Sequence, residues 1–441
     1  MTETLHPLAK ALNQSLEQAA PEVYSMLSAL GKRLYFPKGI LAQGAEAKAK
    51  AKRFNATIGI ATESGQPMHL PAIHRSLSGL TPDEAYNYAP PNGRQKLREL
   101  WRDKQLAENP AMRGKSVGLP IVTAAITHGL SLVGDLFVDA GDVIIAPDQL
   151  WDNYSLTFET RMGARIETFP LFSDAGFNLV GFADTLRAQG KQHKKLVVIL
   201  NFPNNPTGYM PTPAEGQEIV AALEVEAKQG TKLVVLCDDA YFGLFYHLGG
   251  RSLTESLFGD LTNLHRNILP VKLDGATKEL FVWGLRCGFV TFGLGHTEHA
   301  AAALDALDAK ARADIRSAIS NSPMLSQTLV EKALGLAAIG DERKQKLGLL
   351  EARAKEVYRV ARDPRFAGSW DVYPFNSGYF MLIKVKGVDA GTLREHLLDK
   401  HATGLICTAP TDLRVAFSCL EVEQVAPLFE LVHTAILELR V

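Results

Sequence analysis

Cysteine is scarce in this sequence, and long apolar runs are missing. The 441 residues contain four widely spaced cysteines, which form neither a Cys-x-x-Cys pair nor a cluster with histidine: Cys237, Cys287, Cys407 and Cys419. This spacing argues against a disulfide framework and a zinc site, and it predicts a reduced, cytoplasmic setting. The first thirty residues have no apolar core of signal-peptide length, and no uncharged apolar run reaches 18 residues. We therefore expect neither secretion nor a membrane span.

An excess of charge of either sign is also missing. Lysine and arginine together number 47, and aspartate and glutamate number 48. A balanced chain lacks the basic surface that binds nucleic acid or an anionic membrane, so we expect a small-molecule partner. The hydrophobic fraction of 46% and the charged fraction of 22% are ordinary for a globular protein, and the length predicts two or three domains.

What the sequence does contain, from about residue 120 to residue 295, is an alternation of short β-branched runs with helix-length segments. The runs are Ile121 to Thr123, Val143 to Ala146, Leu196 to Leu200, Leu233 to Leu236, Asn267 to Leu273 and Phe289 to Phe292. Such alternation predicts an α/β fold with a mainly parallel sheet between helices. An α+β stretch closes the chain, with strands predicted at Gly378 to Val385 and Leu413 to Phe417 and a helix from Glu421 to Leu439.

Three polar residues stand at the ends of apolar runs in this region: Asn205 in Asn-Pro-Thr-Gly, Asp238 in Cys-Asp-Asp-Ala-Tyr, and Lys278 before Gly-Leu-Arg. Each suits a different atom of pyridoxal phosphate. A lysine forms a Schiff base with an aldehyde, an aspartate holds a protonated pyridine nitrogen, and an amide donates to the ring oxygen. Singly, they also fit a turn, a helix cap and a solvated surface residue. As a set at strand ends, where open α/β sheets bind ligands, they predict a cofactor site.

The neighbouring motifs resemble those of fold type I pyridoxal-phosphate-dependent aminotransferases, closest to the aspartate and aromatic subgroup, from about Asn55 to the C-terminus. Thr277-Lys278 precedes Gly-Leu-Arg-Cys-Gly, and Asp238-Asp-Ala-Tyr241 matches Asp-x-Ala-Tyr. The resemblance implies that Lys278 carries the cofactor, Arg286 grips its phosphate, Asp238 pairs with the pyridine nitrogen, and Tyr241 donates to the ring oxygen beside Asn205. Asp239, one position off the motif, is expected to cap a helix or face solvent.

The resemblance also names the groups around the ring and the phosphate. Trp151 in Trp-Asp-Asn-Tyr is implied to stack on the ring, with Tyr154 in place of the family's histidine. Ala125-Ile126-Thr127 occupies the positions of Gly-Gly-Thr in the phosphate loop, where only Thr127 keeps the family residue.

Two further features concern the phosphate. Thr277 retains a hydroxyl beside the lysine, and Gly275 replaces a family serine. Tyr88 lies in a segment resembling the one whose tyrosine reaches the phosphate of the partner subunit. The resemblance therefore implies a homodimer with a large cofactor-binding domain of residues 70–345, built on a seven-stranded-type sheet, and a smaller α+β domain of residues 1–69 with 346–441.

For the substrate, Arg414 matches the arginine that clamps the α-carboxylate, helped by Asn205, Trp151 and the backbone of Gly59. Arg316 lies in a segment resembling the subgroup's Ile-Arg-x-x-x-Ser-Asn-Pro-Pro, whose arginine reaches across the dimer to a side-chain carboxylate. A solvated arginine on a charged helix explains it equally well, and the motif does not separate acidic from aromatic donors. Tyr379 and Phe380 fit either an aromatic pocket or a buried strand.

The function that these motifs imply is transamination from an acidic or aromatic L-amino acid to a 2-oxo acid such as 2-oxoglutarate. Lys278 would move the Cα proton, Asp238 would keep the ring able to accept electrons, and the kinetics would be ping-pong. A C–S β-lyase or a decarboxylase uses the same lysine and aspartate. A ligand-sensing transcription regulator is a third alternative, disfavoured because only about fifty residues precede the core and none forms a basic recognition helix.

Overall fold

The computed structural model describes residues 5–37, 39–173 and 176–440. Its α-helices are α1 Pro7–Ala19, α2 Pro21–Met26, α3 Ala29–Arg33, α4 Ile40–Lys50, α5 Pro71–Arg75, α6 Pro82–Ala85, α7 Gln95–Glu108, α8 Ala125–Phe137, α9 Leu179–Gly190, α10 Pro213–Lys228, α11 Leu257–Leu261, α12 Ala276–Glu279, α13 Ala300–Ala318, α14 Met324–Leu334, α15 Ala338–Val360, α16 Ala390–His401 and α17 Val422–Leu439. Short 3-10 turns lie at Pro110–Met112, Trp283–Leu285, Pro364–Phe366 and Phe417–Cys419, and a π-helix lies at Ser155–Arg161. In the part of the chain just given, no helix is long and apolar enough to cross a membrane.

The strands are β1 Phe54–Asn55, β2 Thr62–Glu63, β3 Gln66–Pro67, β4 Ile121–Thr123, β5 Val143–Pro147, β6 Arg165–Phe169, β7 Phe172–Ser173, β8 Gly176–Phe177, β9 Lys195–Asn201, β10 Lys232–Asp238, β11 Ile268–Gly275, β12 Gly288–Phe292, β13 Trp370–Val372, β14 Phe380–Val385, β15 Thr403–Gly404, β16 Ile406–Ala409 and β17 Asp412–Ala416. Seven of them form one sheet in the order β4-β12-β11-β10-β9-β5-β6. The predicted α/β fold with a mainly parallel sheet is confirmed.

The central strands of this sheet are apolar because helices cover both of its faces. In β9 and β10 every residue after the first is buried, which is the pattern of a parallel sheet without a solvent face. Only β12 runs antiparallel, to β11 on one side and β4 on the other. The helix between β9 and β10 starts at a capping box, in which the Thr212 side chain accepts from the Glu215 N–H and the Glu215 side chain accepts from the Thr212 N–H.

The strand register brings the predicted site residues to one edge of the sheet. Asp238, the last residue of β10, lies opposite Asn201 of β9 and Leu273 of β11. Strand β11 ends at Gly275, and α12 follows at once with Lys278 in its single turn. Parallel strands thus end together, and their polar ends converge at the carboxyl edge.

A second, antiparallel sheet has the order β13-β14-β17-β16. It contains both C-terminal strands that the sequence predicted, and its pairing places Leu382 of β14 opposite Arg414 of β17. The short β1 pairs in parallel with β15, which joins an early segment of the chain to the C-terminal region. Arg414 is buried, so this sheet delivers one charged side chain toward the large sheet.

Candidate active site

A cavity of about 380 Å³ lies at the carboxyl edge of the large sheet, within the size range of small-ligand pockets. Its walls include most of the predicted site residues: Gly59, Ala125, Ile126, Thr127, Trp151, Asn205, Asp238, Tyr241, Thr277, Lys278, Arg286 and Arg414. Tyr88 and Arg316 do not line it. The sequence motifs therefore converge in space although they come from segments that are hundreds of residues apart.

Asp238 is held by hydrogen bonds on both carboxylate oxygens. The Tyr154 hydroxyl donates to Oδ2 at 2.6 Å, and the Ala240 N–H donates to Oδ1 at 3.1 Å. Burial raises the pKa of the Asp238 carboxyl, while the bond from Tyr154 and the charge of Lys278 oppose that rise. Burial and the nearby carboxylate also raise the pKa of Tyr154, so this phenol stays protonated and remains a donor. Tyr154 thus occupies the position behind Asp238 that holds histidine in the family motif.

Lys278 shares the cavity wall with Asp238 and Arg286. Its Nζ lies 4.8 Å from the centre of the Tyr241 ring. Loss of solvent lowers the pKa of the Lys278 amine to about 8, with Arg286 adding to the decrease and Asp238 opposing it. An amine with this pKa loses its proton much more readily than a surface lysine, as a nucleophile or a base requires.

One end of the cavity is suited to an anion. Helix α8 begins there without a side-chain cap, and free N–H groups at a helix start attract negative charge. Arg286 reaches the same cavity, and its Nη1 donates to the Trp283 carbonyl at 3.1 Å. Thr277 Oγ1 is buried without a hydrogen-bond partner among the described residues. Such an orphaned hydroxyl indicates that a ligand supplies the missing partner.

The backbone at this end leaves little room. Ala125 adopts a φ of +66°, a left-handed conformation that glycine takes without strain. A Cβ built on Gly288 would lie 2.6 Å from the Ala125 carbonyl carbon. Gly288 therefore has to be glycine, whereas Ala125 keeps a glycine-like backbone at a cost of about 1 kcal/mol.

Arg414 adds a buried cation to the cavity wall. Its Nη1 donates to Asn205 Oδ1 at 3.2 Å, and its Nη2 donates to the Thr57 carbonyl at 3.0 Å. The guanidinium carbon lies 4.1 Å from the centre of the Phe380 ring. Burial lowers the pKa of Arg414 to about 10, so it remains a cation at neutral pH. Its Nε has no partner among the described residues, which leaves a donor for an incoming carboxylate.

The expectation for Asp239 is wrong. This residue does not face solvent: it is buried and ion-paired with the fully buried Lys272, which also lies 3.7 Å from Asp274. Burial raises the pKa of Asp239 to about 6, against the opposing charge of Lys272. Asp239 N donates to the Leu273 carbonyl at 2.9 Å, so pairing with β11 continues past Asp238 and turns the side chain inward.

Tyr88 and Arg316 lie on the outside of the chain. Tyr88 is 89% exposed. Arg316 is exposed near the end of α13, where its Nη1 donates to Ser320 Oγ at 2.5 Å. Neither reaches the cavity of its own chain, so any role in the site requires a second subunit.

Comparison with known proteins identifies the family of this chain. The family model described as aminotransferase class I and II matches residues 62–432. The chain belongs to this family. It is a pyridoxal-phosphate-dependent transaminase, as its motifs predicted, and its cofactor is pyridoxal 5'-phosphate.

Individual relatives of this aminotransferase are distant. The cytoplasmic aspartate aminotransferase of Caenorhabditis elegans is 22% identical over 367 residues, which cover 80% of this chain and 85% of that protein. The crystal structure of an aminotransferase from Anaerococcus prevotii has a TM-score of 0.81 at 22% identity and covers 93% of this chain and 99% of its own. LysN, an α-aminoadipate aminotransferase from Thermus thermophilus, has a TM-score of 0.72 at 20% identity over 95% of this chain and 99% of its own. These structures show a shared fold.

The polar groups of the aminotransferase cavity fit two parts of the cofactor. The uncapped start of α8, Arg286 and the unpartnered Thr277 hydroxyl match a phosphate, and the Asp238 carboxylate matches a pyridinium nitrogen. Lys278 lines the same cavity and presents a primary amine to it.

Several wall residues of the aminotransferase were not assigned roles from the sequence. Asn201 links the backbones of two site residues: its Nδ2 donates to the Asp238 carbonyl at 3.0 Å, and its Oδ1 accepts from the Asn205 N–H at 2.9 Å. Its position at the end of β9 was a usable signal. Trp283 also lines the cavity and carries a buried indole N–H that no described residue accepts from. Phe380 is a buried residue of β14 that also lines the cavity, whereas Tyr379 is buried and does not line it.

Proposed function

We propose that this transaminase moves the amino group of an acidic or aromatic L-amino acid to a 2-oxo acid such as 2-oxoglutarate. The observation that carries the proposal is the cavity in which Lys278 and Asp238 share walls with the buried cation of Arg414. An α-carboxylate bound at that cation would bring the α-carbon of the amino acid into the same small volume as the lysine amine. The similarity to a named aspartate aminotransferase supports the acidic alternative.

The cofactor would be held by residues from several segments: Lys278, Asn205, Asp238, Tyr241, Arg286, Trp151, Thr127, Ile126, Ala125 and Thr277 from one subunit and Tyr88 from the other. When bound, pyridoxal phosphate supplies an aldehyde that reacts with amines and a ring that accepts the electrons of a carbanion. Asp238, kept in place by Tyr154, stabilises positive charge on the pyridine nitrogen. Tyr241 is protonated because burial raises its pKa, so it donates a hydrogen bond.

Lys278 is the proposed base. Its neutral amine accepts the proton from the substrate α-carbon and later returns it, and a pKa of about 8 fits both directions near neutral pH. Arg414 and Asn205 orient the α-carboxylate, with Trp151 and the backbone of Gly59 completing the walls. The two half-reactions use one cavity in turn, so the kinetics are ping-pong.

The proposed assembly is a cytoplasmic homodimer in which Tyr88 and Arg316 enter the cavity of the partner. Both are exposed on the single chain, as such a role requires. Arg316 would bind the distal carboxylate of an acidic substrate through its charged, bidentate fork. We also propose the domain division given by the resemblance, with residues 70–345 in the large domain and residues 1–69 with 346–441 in the small one.

The test is a panel of amino donors assayed with 2-oxoglutarate on the wild type, Arg316→Ala and a control, Arg312→Ala. Arg312 lies on the same helix and is also exposed, with an ion pair to Asp308 at 3.2 Å. A charge-assisted contact contributes about 1.5–3 kcal/mol, so its loss should lower kcat/KM for acidic donors by about 10- to 150-fold. Arg312→Ala should behave like the wild type.

Two outcomes would contradict the proposal. If Arg316→Ala and the wild type have equal kcat/KM for acidic donors, Arg316 does not bind the distal carboxylate, and the support for acidic substrates is lost. Release of sulfide or carbon dioxide in place of a 2-oxo acid would assign the site to the β-lyase or decarboxylase alternative.

A further inference from the structure

A cluster of three potential metal ligands lies in the C-terminal region, at the contact between α16 and α17. Glu438 of α17 faces His396 and His401 of α16. Glu438 Oε2 is 2.7 Å from His396 Nε2 and 2.8 Å from His401 Nε2. One ligand atom from each residue lies within 4.8 Å of the other two. Among the described residues, this is the one group of three histidine, cysteine or carboxylate side chains whose ligand atoms lie this close together.

The geometry points to a site for a divalent transition metal, and we propose that this cluster binds one Zn²⁺ ion per chain. Zinc takes imidazole nitrogen and carboxylate oxygen at about 2.0–2.2 Å in a tetrahedron, so its ligand atoms stand about 3.4 Å apart. The observed separations of 2.7 and 2.8 Å, with 4.8 Å as the upper limit for any pair, bracket that value. The two histidine–carboxylate separations have to lengthen by about 0.6–0.7 Å to make room for the ion.

The exposure of the three side chains suits entry of an ion from solvent. His396 and His401 are 21% and 17% exposed, so their rings are held by the helix contact, and Glu438 is 42% exposed and free to adjust. A water molecule completes the four-coordinate sphere on the open side. Two imidazoles and one carboxylate favour zinc, copper, nickel or cobalt over calcium or magnesium, which prefer oxygen ligands.

The site is structural and separate from catalysis. None of its three ligands lines the active-site cavity. Two ligands come from α16 and one from α17, so a bound ion cross-links two helices that pack side by side. An ion that binds the folded chain and not the unfolded one stabilises the fold in proportion to the logarithm of its concentration.

The chain contains a matched control for the test. His69 and His74 have the same sequence separation as His396 and His401, and their ring centres are 5.5 Å apart, compared with 5.4 Å for the proposed ligands. No carboxylate joins the control pair in a ligand cluster among the described residues.

The experiment uses cofactor-loaded protein stripped of metal with a chelator and dialysed against Zn²⁺. Wild type and the control His69→Ala/His74→Ala should bind one zinc ion with equal affinity and gain in Tm as zinc is added. His401→Ala and, separately, Glu438→Gln should lose affinity at least tenfold, since even changes outside the ligand sphere cost about 10–100-fold. Cobalt(II) should give the intense visible bands of a four-coordinate site in the wild type.

Two results would overturn the proposal. If the wild type binds no more zinc than the double variant His401→Ala/Glu438→Gln, the cluster only forms hydrogen bonds between the two helices. Equal loss of zinc in the His69→Ala/His74→Ala control would place the ion elsewhere. Because Glu438→Gln keeps the size of the side chain and a hydrogen-bonding oxygen, circular dichroism of this variant separates loss of the ion from loss of the fold.

Discussion

The Tyr154 hydroxyl is predicted to be the main support of Asp238, and Tyr154→Phe removes that hydroxyl alone. The ring stays in its packing, including the edge contact with Trp151 at 5.7 Å between centroids. What disappears is a 2.6 Å hydrogen bond to a fully buried carboxylate. Oδ2 is then left without its donor, while Oδ1 keeps the Ala240 N–H.

The magnitude follows from the charge of the acceptor. A hydrogen bond to a charged group contributes about 1.5–3 kcal/mol, and a bond between neutral groups contributes about 1 kcal/mol. We expect Tyr154→Phe to lower the unfolding free energy of the cofactor-free protein by about 2–3 kcal/mol at pH 7. Tyr246→Phe is the matched control, because the buried Tyr246 hydroxyl donates to the neutral carbonyl of Gly378 at 2.8 Å. Its loss should cost about 1 kcal/mol.

The pH dependence gives a second check with a definite sign. The pKa of Asp238 is raised in the folded protein, so its contribution to stability is fully present below the unfolded pKa of about 3.9 and is lost as the pH rises through the folded pKa. Tyr154 lowers that folded pKa, and Phe at this position raises it further. Wild type and Tyr154→Phe should therefore differ least near pH 4 and most at pH 7. Urea unfolding at both pH values measures this, and an equal difference at the two would refute the reasoning.

Three further predictions follow from the site and its surroundings. Gly288→Ala should displace the first turn of α8 and weaken cofactor binding by about tenfold or more in a spectroscopic titration, which is ~1.4 kcal/mol. Gly284→Ala, where a Cβ meets no atom within 4 Å, should bind the cofactor normally. Lys272→Met should lower the unfolding free energy by about 3–5 kcal/mol because it leaves Asp239 buried and unpaired. Adding Asp239→Asn should restore part of the lost stability, and strictly additive losses in the double variant would contradict the ion pair between the two residues. The amine of Lys278 has a pKa near 8 when folded and about 10.4 when unfolded, so the stability of the cofactor-free wild type relative to Lys278→Met should rise from pH 8 to pH 10; parallel curves would contradict the lowered pKa.

The large sheet was predictable where its strands are buried on both faces. The continuous β-branched runs of β9 and β10 exist because helices cover them, and these strands lie where they were predicted. Strand β6, Arg165–Phe169, escaped prediction because it is an edge strand with charged, partly exposed residues. The antiparallel direction of β12 was likewise not readable, since a short apolar run carries no sign of its orientation.

The site was predictable where a residue type is fixed by the chemistry. Lys278 and Asp238 stood at strand ends, and their convergence followed from the parallel order. The burial of Asp239 did not, because its partner Lys272 lies on a neighbouring strand and looks like any other lysine in sequence. Pairing across strands depends on register, which the sequence of a single chain does not display.

The support of Asp238 by Tyr154 was hidden for a similar reason. A tyrosine in place of histidine predicts a changed neighbour, and only the fold shows that its hydroxyl reaches the same carboxylate. The roles of Tyr88 and Arg316 stay predictions, since both side chains lie on the outside of one chain.

The central claim is that Lys278 is the residue that bonds to pyridoxal phosphate and carries out the proton transfer. Borohydride reduction of the cofactor-loaded protein converts an imine to a stable amine, and peptide mass spectrometry then locates the label. We predict a phosphopyridoxyl group on Lys278, and a Lys278→Ala variant that still binds the cofactor noncovalently without turnover. A label on another lysine such as Lys272, or turnover retained in Lys278→Ala, would contradict the account.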